Sequence, residues 1–390
     1  MTPLVLSGRA QGLAFADPSR PRRVLRLRAP GEGPTVPTHD AALIRTAADW
    51  DLAAAHGFSQ AVVASEAPDA DIPLDVVRPG QPFAHLTEGD VVGLDIRSGR
   101  LRVLYRQQSR HNAFLVTERC NNYCLMCSQP PKDVDDGWLL DEIVEALSLI
   151  DPATPAITFT GGEPLTEAGR FIGVVEKTKT LLPQTAVHVL SNGRAFADTA
   201  VTNAWAALEH PLLSVGIPVY SAVDQIHDQV VQARGAFDET ILGILRLKDR
   251  GQRVEVRVVL HALTAPRLRQ TCAWLARNLP FVDHVALMGL ENTGFAIAND
   301  AQLWIDPLDY QDELAEAVDI LDAARVRVSI YNLPLCLLPE PARRFAVRSI
   351  SDWKNAYPET CGPCTAKDRC AGFFSTGRPR LSRGLAPILV

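Results

Sequence analysis

Three cysteines, Cys120, Cys124 and Cys127, stand at the spacing Cys-x3-Cys-x2-Cys directly after the apolar run 113–116. A [4Fe–4S] cluster usually has four cysteine ligands, so three thiolates would leave one iron with an open position. Open positions are found in reactive metal sites, whereas structural sites are closed. A zinc knuckle or an oxidised cysteine pair is the alternative, but zinc usually takes four protein ligands in a different layout. The triplet therefore predicts a reactive iron–sulfur centre.

A second motif, Gly161-Gly162-Glu163-Pro164, ends another apolar run at 156–160. Glycines allow the main chain to approach a ligand closely, because they have no side chain to clash with it. Glu163 and exposed backbone acceptors could bind an ammonium group. The two motifs together predict a chelating ligand with an amino group, held beside the open iron.

This pair of motifs resembles the radical S-adenosylmethionine (SAM) superfamily. The resemblance implies that the open iron binds the amino and carboxylate groups of SAM, and that residues 161–164 accept hydrogen bonds from its ammonium. One electron would then cleave SAM to methionine and a 5′-deoxyadenosyl radical, which takes a hydrogen atom from the substrate. The resemblance also implies a contact to SAM from Met126, and a reductant such as flavodoxin or ferredoxin.

Two further strand ends carry candidate SAM contacts. Ser191 and Asn192 follow a predicted strand whose end contacts SAM in the family, although Asn-Gly also favours a simple turn. Arg257 lies inside an otherwise apolar strand, where a buried arginine needs an anionic partner. The SAM carboxylate is one candidate partner. A structural carboxylate, such as Glu163 or one near Glu255, is the other.

The C-terminal region holds a second cysteine set, which we name the C-terminal cysteine set: Cys336, Cys361, Cys364 and Cys370. Four thiolates complete either a [4Fe–4S] cluster or a structural zinc site. The spacing resembles the C-terminal extension of peptide-modifying radical SAM enzymes, of the SPASM or shorter "twitch" type. The full SPASM form has seven cysteines and two auxiliary clusters, so four predict one auxiliary [4Fe–4S] cluster, with zinc as the alternative. Cys272 lies alone in a helical pattern and is interpreted as a small buried apolar residue.

The middle of the chain alternates β-type runs with helical periodicity. The β-type runs are 113–117, 156–160, 186–190, 212–219, 254–260 and 282–290. Such alternation predicts an α/β fold with a parallel sheet, and the resemblance implies the partial (β/α)6 TIM-like barrel of radical SAM enzymes. Its site should lie at the C-terminal strand ends. A helix over 307–325 and a strand over 326–330 lead into the C-terminal cysteine set.

Three domains follow from this pattern: a small β-rich N-terminal domain over 1–108, the barrel over 109–325 and the auxiliary-cluster extension over 326–390. Within the first, residues 91–105 predict a β-hairpin. Five arginines crowd one stretch of it: Arg20, Arg22, Arg23, Arg26 and Arg28. They predict an edge strand, which either presents cations to an acidic peptide or discourages aggregation by its charge.

Four segments give a closer resemblance, to the shorter radical SAM maturase of the His-Xaa-Ser repeat peptide system: 111–124, 218–228, 350–354 and 372–374. The resemblance implies a small ribosomally made substrate peptide with His-Xaa-Ser repeats, and a second radical SAM protein as partner. Tyr220, His227 and Asp228 are candidate catalytic residues. His227 and Asp228 could transfer protons, or they could cap a helix. The alternatives for the whole chain are a radical SAM enzyme of cofactor biosynthesis that acts on a small molecule, and a non-catalytic iron–sulfur or zinc scaffold.

Composition limits the classes of protein to consider. Of the 390 residues, 47% are hydrophobic and 22% are charged, which is typical of a soluble globular protein with more than one domain. The net charge of −6 argues against nucleic-acid binding through phosphate contacts. No apolar stretch has the length of a membrane helix, and the first residues do not resemble a signal peptide. Cysteines clustered as ligands predict a reducing, cytoplasmic location.

Overall fold

The computed structural model describes residues 4–15, 19–64, 74–348, 354–375 and 380–389. Within them the chain forms an eight-stranded sheet, a seven-stranded sheet and a small two-stranded sheet. Of the segments that resemble the maturase, residues 350–353 lie outside the described residues.

The first sheet is built from the N-terminal region. Its strands are β1 (Ser7–Arg9), β2 (Gly12–Ala14), β3 (Arg22–Arg28), β4 (Asp40–Ile44), β5 (Gln60–Val63), β6 (Asp75–Arg78), β7 (Val91–Asp95) and β8 (Arg100–Tyr105). Their spatial order is β1-β8-β7-β3-β4-β5-β6-β2. β1 and β2, which follow one another in the sequence, pair with β8 and β6 at opposite ends of this order, so the two ends of the sheet lie close together. It has its own buried aliphatic core, which includes Leu25, Leu43 and Val92. The prediction of a β-rich N-terminal region is confirmed, as is its β7–β8 hairpin.

The arginine-rich strand β3 is not an edge strand. It pairs with β7 on one side and with β4 on the other. Arg23 forms an ion pair with Asp75 at 2.9 Å, and Arg26 forms one with Asp40 at 2.8 Å. The prediction of a charged edge strand is therefore wrong. Strands distant in sequence pair with both sides of β3, and aspartates from distant strands form ion pairs with two of its arginines.

The second sheet is parallel, and its seven strands lie side by side in the order of the sequence. They are β9 (Asn112–Leu115), β10 (Ala156–Thr160), β11 (Ala186–Leu190), β12 (Leu213–Pro218), β13 (Arg253–Leu260), β14 (His284–Gly289) and β15 (Val328–Tyr331). The first six correspond to the predicted runs, which confirms the predicted α/β fold with a parallel sheet. β15 pairs with β14 in parallel and adds a seventh strand. Along β13, alternate residues Val254, Val256 and Val258 are fully buried in the main core, as expected for a face covered by helices.

Helices connect these strands. They are α1 (Ala47–Ala55), α2 (Trp138–Leu147), α3 (Ala168–Leu181), α4 (Thr199–Ala206), α5 (Asp224–Val231), α6 (Ala236–Asp249), α7 (Leu268–Asn278), α8 (Phe295–Ala298), α9 (Asp300–Leu303) and α10 (Gln311–Ala323). The helix predicted over 307–325 is thus α10, preceded by a 3₁₀ turn, Pro307–Tyr310. The short strands β16 (Asn355–Ala356) and β17 (Phe373–Phe374) form the third sheet. Among the described residues, no helix is both long and apolar enough to cross a bilayer.

A chain of buried rings fixes the strand that leads to the first cysteines. Phe114 of β9 stacks on Phe159 of β10, with ring centres 5.9 Å apart. Phe159 meets Phe171 of α3 edge-on at 5.6 Å, and Phe171 stacks on Trp205 of α4. Such pairs contribute about 0.5–1.5 kcal/mol each beyond burial. The C-terminal end of β9 is therefore held rigidly against two helices.

Candidate functional site

The first cysteine set, Cys120, Cys124 and Cys127, lies on the loop after β9, at the C-terminal edge of the parallel sheet. Burial, together with the charges of Cys127 and Cys120, raises the pKa of Cys124 to about 12. Burial likewise raises the pKa of Cys120 to about 11, and Cys127 adds to it. The thiols are close enough to affect one another. As free thiols they would be protonated at neutral pH, so metal binding would have to release their protons.

The side chains are not arranged as a finished metal site. Across residues 4–15, 19–64, 74–348, 354–375 and 380–389, no group of three or more His, Cys, Asp or Glu side chains could hold a metal ion as it stands. The Cys127 thiol donates to the Gln129 carbonyl, with 2.9 Å between sulfur and oxygen. Three soft thiolates fit an iron–sulfur cluster by their chemistry. Binding a cluster would remove the Cys127 proton and with it this hydrogen bond.

The Gly161–Gly162 pair packs directly on the start of the cysteine loop. The backbone N–H of Gly162 donates to the Thr117 carbonyl at 2.8 Å, and that of Glu163 donates to the Arg119 carbonyl at 2.8 Å. A Cβ atom on either glycine would clash with one of these two carbonyl oxygens. Gly161 also has a φ of 141°, which side chains disfavour. Contact with the cysteine loop is thus a reason for both glycines, in addition to the approach of a ligand.

Glu163 joins the ends of β10 and β11. One carboxylate oxygen accepts from the backbone N–H of Leu165 at 3.0 Å and from the Ser191 hydroxyl at 2.9 Å. The other oxygen accepts from the backbone N–H of Asn192 at 2.6 Å. Burial raises the pKa of Glu163, and these hydrogen bonds oppose the rise. Three of the roughly four acceptor positions of this carboxylate are therefore engaged within the protein. Pro164 begins the 3₁₀ turn that follows.

The turn after β11 is attached to the cysteine loop by its side chains. The Asn192 amide donates to the Asn121 side-chain oxygen at 2.6 Å. Arg194 donates to the Asn121 carbonyl at 2.9 Å and to the Asn122 side chain at 2.7 Å. Gly193, at φ 81°, makes the turn between them. The structure therefore brings Ser191-Asn192, Glu163 and the first cysteine set to one edge of the sheet.

Arg257 has a partner on its own strand. Its guanidinium lies 2.9 Å from one carboxylate oxygen of Glu255, whose other oxygen lies 2.8 Å from Nδ1 of His284. Burial tends to raise the pKa of Glu255, but the bond to His284 and the charges of Arg257 and His188 bring it down to about 2. Of the partners considered for Arg257, the structure shows Glu255 itself, two residues away on the same face of β13.

This pair belongs to a polar belt that the sequence did not reveal to us. Its members lie on the face of the sheet opposite the helices and span β11 to β15: Ser214, His188, Glu255, Arg257, His284 and Ser329. Gly216 leaves room for it, because a Cβ there would come within 2.9 Å of the His188 ring. The sequence signal that could have revealed this belt is alternation along the strands. Polar residues occupy every second position on one face, and apolar residues fill the other face.

Tyr220 lies beside the first cysteine set. Burial raises its pKa well above the usual value, and the charge of Cys124 adds to the rise. Its ring belongs to an apolar cluster that contains Met126 and Val230 and is packed by the side chain of Cys124. The structure therefore brings Met126 and Tyr220 together under the cysteine loop.

His227 and Asp228 both lie on α5 and make local contacts. Nδ1 of His227 accepts from the backbone N–H of Tyr220 at 3.2 Å, and burial lowers the pKa of His227 to about 4. The Asp228 carboxylate accepts from the backbone N–H of Gly235 at 2.5 Å and of Phe237 at 2.9 Å. These last contacts hold the first turn of α6, which is what a capping carboxylate does.

The C-terminal cysteine set lines one small cavity: Cys336, Cys361, Cys364 and Cys370 all face it. Burial raises the pKa of Cys361, and the other three cysteines add to the rise. The sulfur of Cys370 accepts from the backbone N–H of Leu335 at 3.3 Å and of Gly372 at 3.4 Å. Four thiols have the chemistry of a four-thiolate site, but among the described residues these side chains, like those of the first set, are not arranged to hold a metal ion as they stand.

A larger cavity of about 80 Å³ lies beside the cavity of the C-terminal cysteine set, with which it shares Pro334, Gly372 and Phe373. Its wall contains Leu260, Leu290 and Asn332, which stand at or just beyond the ends of β13, β14 and β15. Sequence reasoning missed it, because its remaining wall comes from distant segments: Glu291, Asn292, Trp304, Ile305, Pro307, Tyr310, Leu333, Pro334, Leu337, Gly372, Phe373, Phe374, Arg380 and Ser382. On this measure a single water needs roughly 10–15 Å³, so the cavity has room for one side chain.

The wall of this cavity is connected to each cysteine set through other residues. On one side, the segment that begins at Leu290 continues to Phe295, whose backbone N–H donates to the Cys127 carbonyl at 2.8 Å. On the other side, Pro334 and Phe373 line this cavity and the cavity of the C-terminal cysteine set together.

Comparison with known proteins concerns mainly the sheet. Residues 114–275 match the family model described as the Radical SAM superfamily. No curated protein sequence matches the chain. SuiB from Streptococcus suis, bound to S-adenosylmethionine, is similar with a TM-score of 0.46 and 12% identity, over 58% of this chain and 52% of SuiB. A radical SAM methyltransferase from Sphaerobacter thermophilus gives 0.45 and 15%, over 62% and 73%. The protein anSMEcpe with bound AdoMet gives 0.43 and 16%, over 56% and 62%. The chain thus spans about half the length of SuiB, at 52%.

Proposed function

We propose that the chain, whose residues 114–275 match the model of the Radical SAM superfamily, reductively cleaves SAM and uses the 5′-deoxyadenosyl radical to modify a small ribosomally made peptide. The observation that carries this proposal is the joining of the cysteine loop to both neighbouring strand ends. Glu163 N–H donates to the loop at 2.8 Å, and Asn192 donates to Asn121 at 2.6 Å. A site that holds a cluster and its ligand at fixed positions relative to each other needs residues that are themselves held in place by such hydrogen bonds.

Each group at this edge has a defined task in the proposal. Cys120, Cys124 and Cys127 hold a [4Fe–4S] cluster, which when bound supplies an open iron for SAM and the electron that cleaves it. The backbone at Gly161–Gly162 accepts hydrogen bonds from the SAM ammonium. Ser191 and Asn192 keep that backbone in place through Glu163. Arg257, fixed by Glu255, offers its remaining N–H groups to the SAM carboxylate, and Met126 packs beneath the loop.

The C-terminal cysteine set is proposed to hold an auxiliary [4Fe–4S] cluster. Its four thiols face one cavity, and that cavity shares Pro334 and Phe373 with the larger one. A cluster in this position could take an electron from a product radical. A structural zinc ion would have the same four ligands, and metal analysis separates the two.

The substrate is proposed to be a peptide with His-Xaa-Ser repeats, modified together with a second radical SAM protein and a reductant such as flavodoxin or ferredoxin. Support comes from the resemblance of residues 111–124, 218–228 and 372–374 to the maturase. The larger cavity adds to it, since it has room for one side chain at a time. A peptide can insert one side chain and leave the rest of its chain outside.

Anaerobic reconstitution tests the cofactors. We expect roughly eight irons per chain, the content of two four-iron clusters, and 5′-deoxyadenosine after addition of dithionite and SAM. Cys124→Ala should abolish SAM cleavage, and Cys364→Ala should lower iron to roughly four. Cys272→Ala is the matched control, because this buried cysteine lies outside both sets; its iron content should not change. Cleavage retained by Cys124→Ala would contradict the first assignment. Iron near four with zinc present would contradict the second.

A separate assay tests the peptide. The reconstituted protein is incubated with SAM, reductant and a synthetic peptide carrying His-Xaa-Ser repeats, with and without the second radical SAM protein. We expect deoxyadenosine formation to rise and the peptide mass to change. The control is the same peptide with its histidines replaced by alanine. Equal turnover with the control peptide would refute the His-Xaa-Ser substrate and leave SAM cleavage itself untouched.

A further inference from the structure

The C-terminal segment 380–389 runs from the larger cavity to the C-terminal cysteine set. At its start, Arg380 forms an ion pair with Asp300 at 2.6 Å. The buried hydroxyl of Ser382 donates to Asp306 at 2.5 Å. Burial tends to raise the pKa of Asp306, but hydrogen bonds from this segment and its own turn keep it below the usual range. The segment is therefore fastened to the barrel by a buried carboxylate.

The end of the same segment reaches two cysteine sulfurs. The backbone N–H of Ile388 donates to the sulfur of Cys364 at 3.4 Å. The Ile388 carbonyl accepts from the backbone N–H of Thr365 at 2.9 Å, which fixes the direction of this contact. A backbone hydrogen bond from Ala386 reaches Cys336, where it opposes the rise in pKa caused by burial. Ala386 and Ile388 also form part of the cavity wall around the four cysteines.

Hydrogen bonds to cluster sulfurs and exposure to solvent are two of the factors that set the potential of an iron–sulfur cluster. A backbone N–H aimed at a thiolate sulfur stabilises negative charge there, and reduction adds negative charge. Donors on these sulfurs therefore favour the reduced cluster. Cys370 receives its N–H donors from Leu335 and Gly372, which are its near neighbours in space. Cys364 and Cys336 receive theirs from the segment 380–389.

We propose that segment 380–389 is a strap that raises the reduction potential of the cluster in the C-terminal cysteine set, through the N–H groups of Ile388 and Ala386. This rests on the proposed auxiliary cluster. The strap also forms part of the larger cavity through Arg380 and Ser382. One element thus borders the place proposed for the substrate and sets how readily the neighbouring cluster takes an electron.

Two substitutions at one position separate the N–H group from the side chain. Ile388→Pro removes the N–H that donates to Cys364 and keeps an apolar side chain in the cavity wall. Ile388→Ala keeps the N–H and trims the side chain. The measurement is an anaerobic redox titration of the reconstituted protein followed by EPR. For Ile388→Pro we expect about a tenfold lower ratio of reduced to oxidised auxiliary cluster at a fixed potential, which is 59 mV for a one-electron couple. Ile388→Ala should keep the wild-type midpoint.

Other results overturn the proposal. An unchanged or higher midpoint in Ile388→Pro would do so, and so would an equal shift in both variants, which would mean that packing sets the potential. Hydrogen exchange at residues 380–389 shows whether the strap stays docked; a strap that detaches without lowering the midpoint also refutes the idea. Failure of the proposed function differs from these outcomes. A protein that binds four irons and zinc has no auxiliary cluster. A protein that forms no deoxyadenosine does not cleave SAM, whatever the midpoint potential found in the redox titration.

Discussion

Replacement of Glu163 by glutamine distinguishes two roles for its carboxylate, a brace between two strand ends and a ligand for the SAM ammonium. The structure favours the brace. The side chain is almost fully buried, and its oxygens accept from the N–H of Leu165, the hydroxyl of Ser191 and the N–H of Asn192. Glutamine has the same size and shape, so it tests the acceptors alone.

The expected loss of stability follows from the number of hydrogen-bond acceptors that remain in the glutamine side chain. With its oxygen toward Leu165 and Ser191, the glutamine points an NH₂ group at the Asn192 N–H, which lies 2.6 Å from the oxygen it replaces. In the opposite orientation the Leu165 N–H loses its acceptor. Either way one buried backbone N–H is left unpaired, which costs about 1–3 kcal/mol. We expect Glu163→Gln to destabilise the apo protein by this amount.

The assay is urea unfolding of the metal-free protein, with SAM binding to the reconstituted protein as the second measurement. Glu176→Gln is the control, because Glu176 is exposed on α3 and such changes usually stay within roughly 0.5 kcal/mol. An unfolding midpoint equal to that of the wild type, combined with lost SAM binding, would refute the reasoning. The carboxylate would then serve the ammonium directly, and the three hydrogen bonds would be of little consequence for stability.

Three further outcomes are expected. Gly162→Ala should reduce iron loading at the first cysteine set, because its Cβ would clash with the Arg119 carbonyl. Gly169→Ala is the control, because Gly169 has open space around it, and it should bind as much iron as the wild type. Iron analysis of the reconstituted proteins compares the two variants. Phe159→Ala should cost about 3–5 kcal/mol in urea unfolding, the usual loss for a buried phenylalanine, and a smaller loss would mean that the ring chain is not rigid. Burial raises the pKa of Glu255, yet its hydrogen bond and neighbouring charges bring it to about 2 from 4.5. The stability lost in Glu255→Gln should therefore be full above pH 4.5 and fade as the pH falls toward 2; a pH-independent difference would contradict this pKa.

The chemistry of the first site could be predicted because it depends on short-range spacing. Cys120, Cys124 and Cys127 lie within eight residues, so a single loop can bring them near one another in any fold. The strands that flank the site were equally predictable, since unbroken apolar runs bounded by polar turns are typical of buried parallel strands. Only the seventh strand, β15, was expected outside the barrel, and its pairing with β14 is a long-range contact.

The remaining features depend on which distant segments meet. The arginines of β3 look like an edge in the sequence, but Asp75 and Asp40 supply their partners from other strands. The pairing of Arg257 with Glu255 is local, yet the histidines that complete the belt come from β11 and β14. The role of Glu163 could not be read either, because its two strand-end partners lie 28 and 29 residues further along.

The position of the larger cavity supports the proposed redox role of the C-terminal cysteine set. A structural metal stabilises the chain around it and has no need of a neighbouring cavity. Here Pro334 and Phe373 are shared between the cysteine cavity and a second cavity, and the latter reaches toward Cys127 through the segment ending at Phe295. A substrate group bound in that second cavity would lie next to the cavity of the C-terminal cysteine set. In the proposed mechanism, the first set would supply the electron that cleaves SAM, and the auxiliary cluster would receive the electron from a product radical.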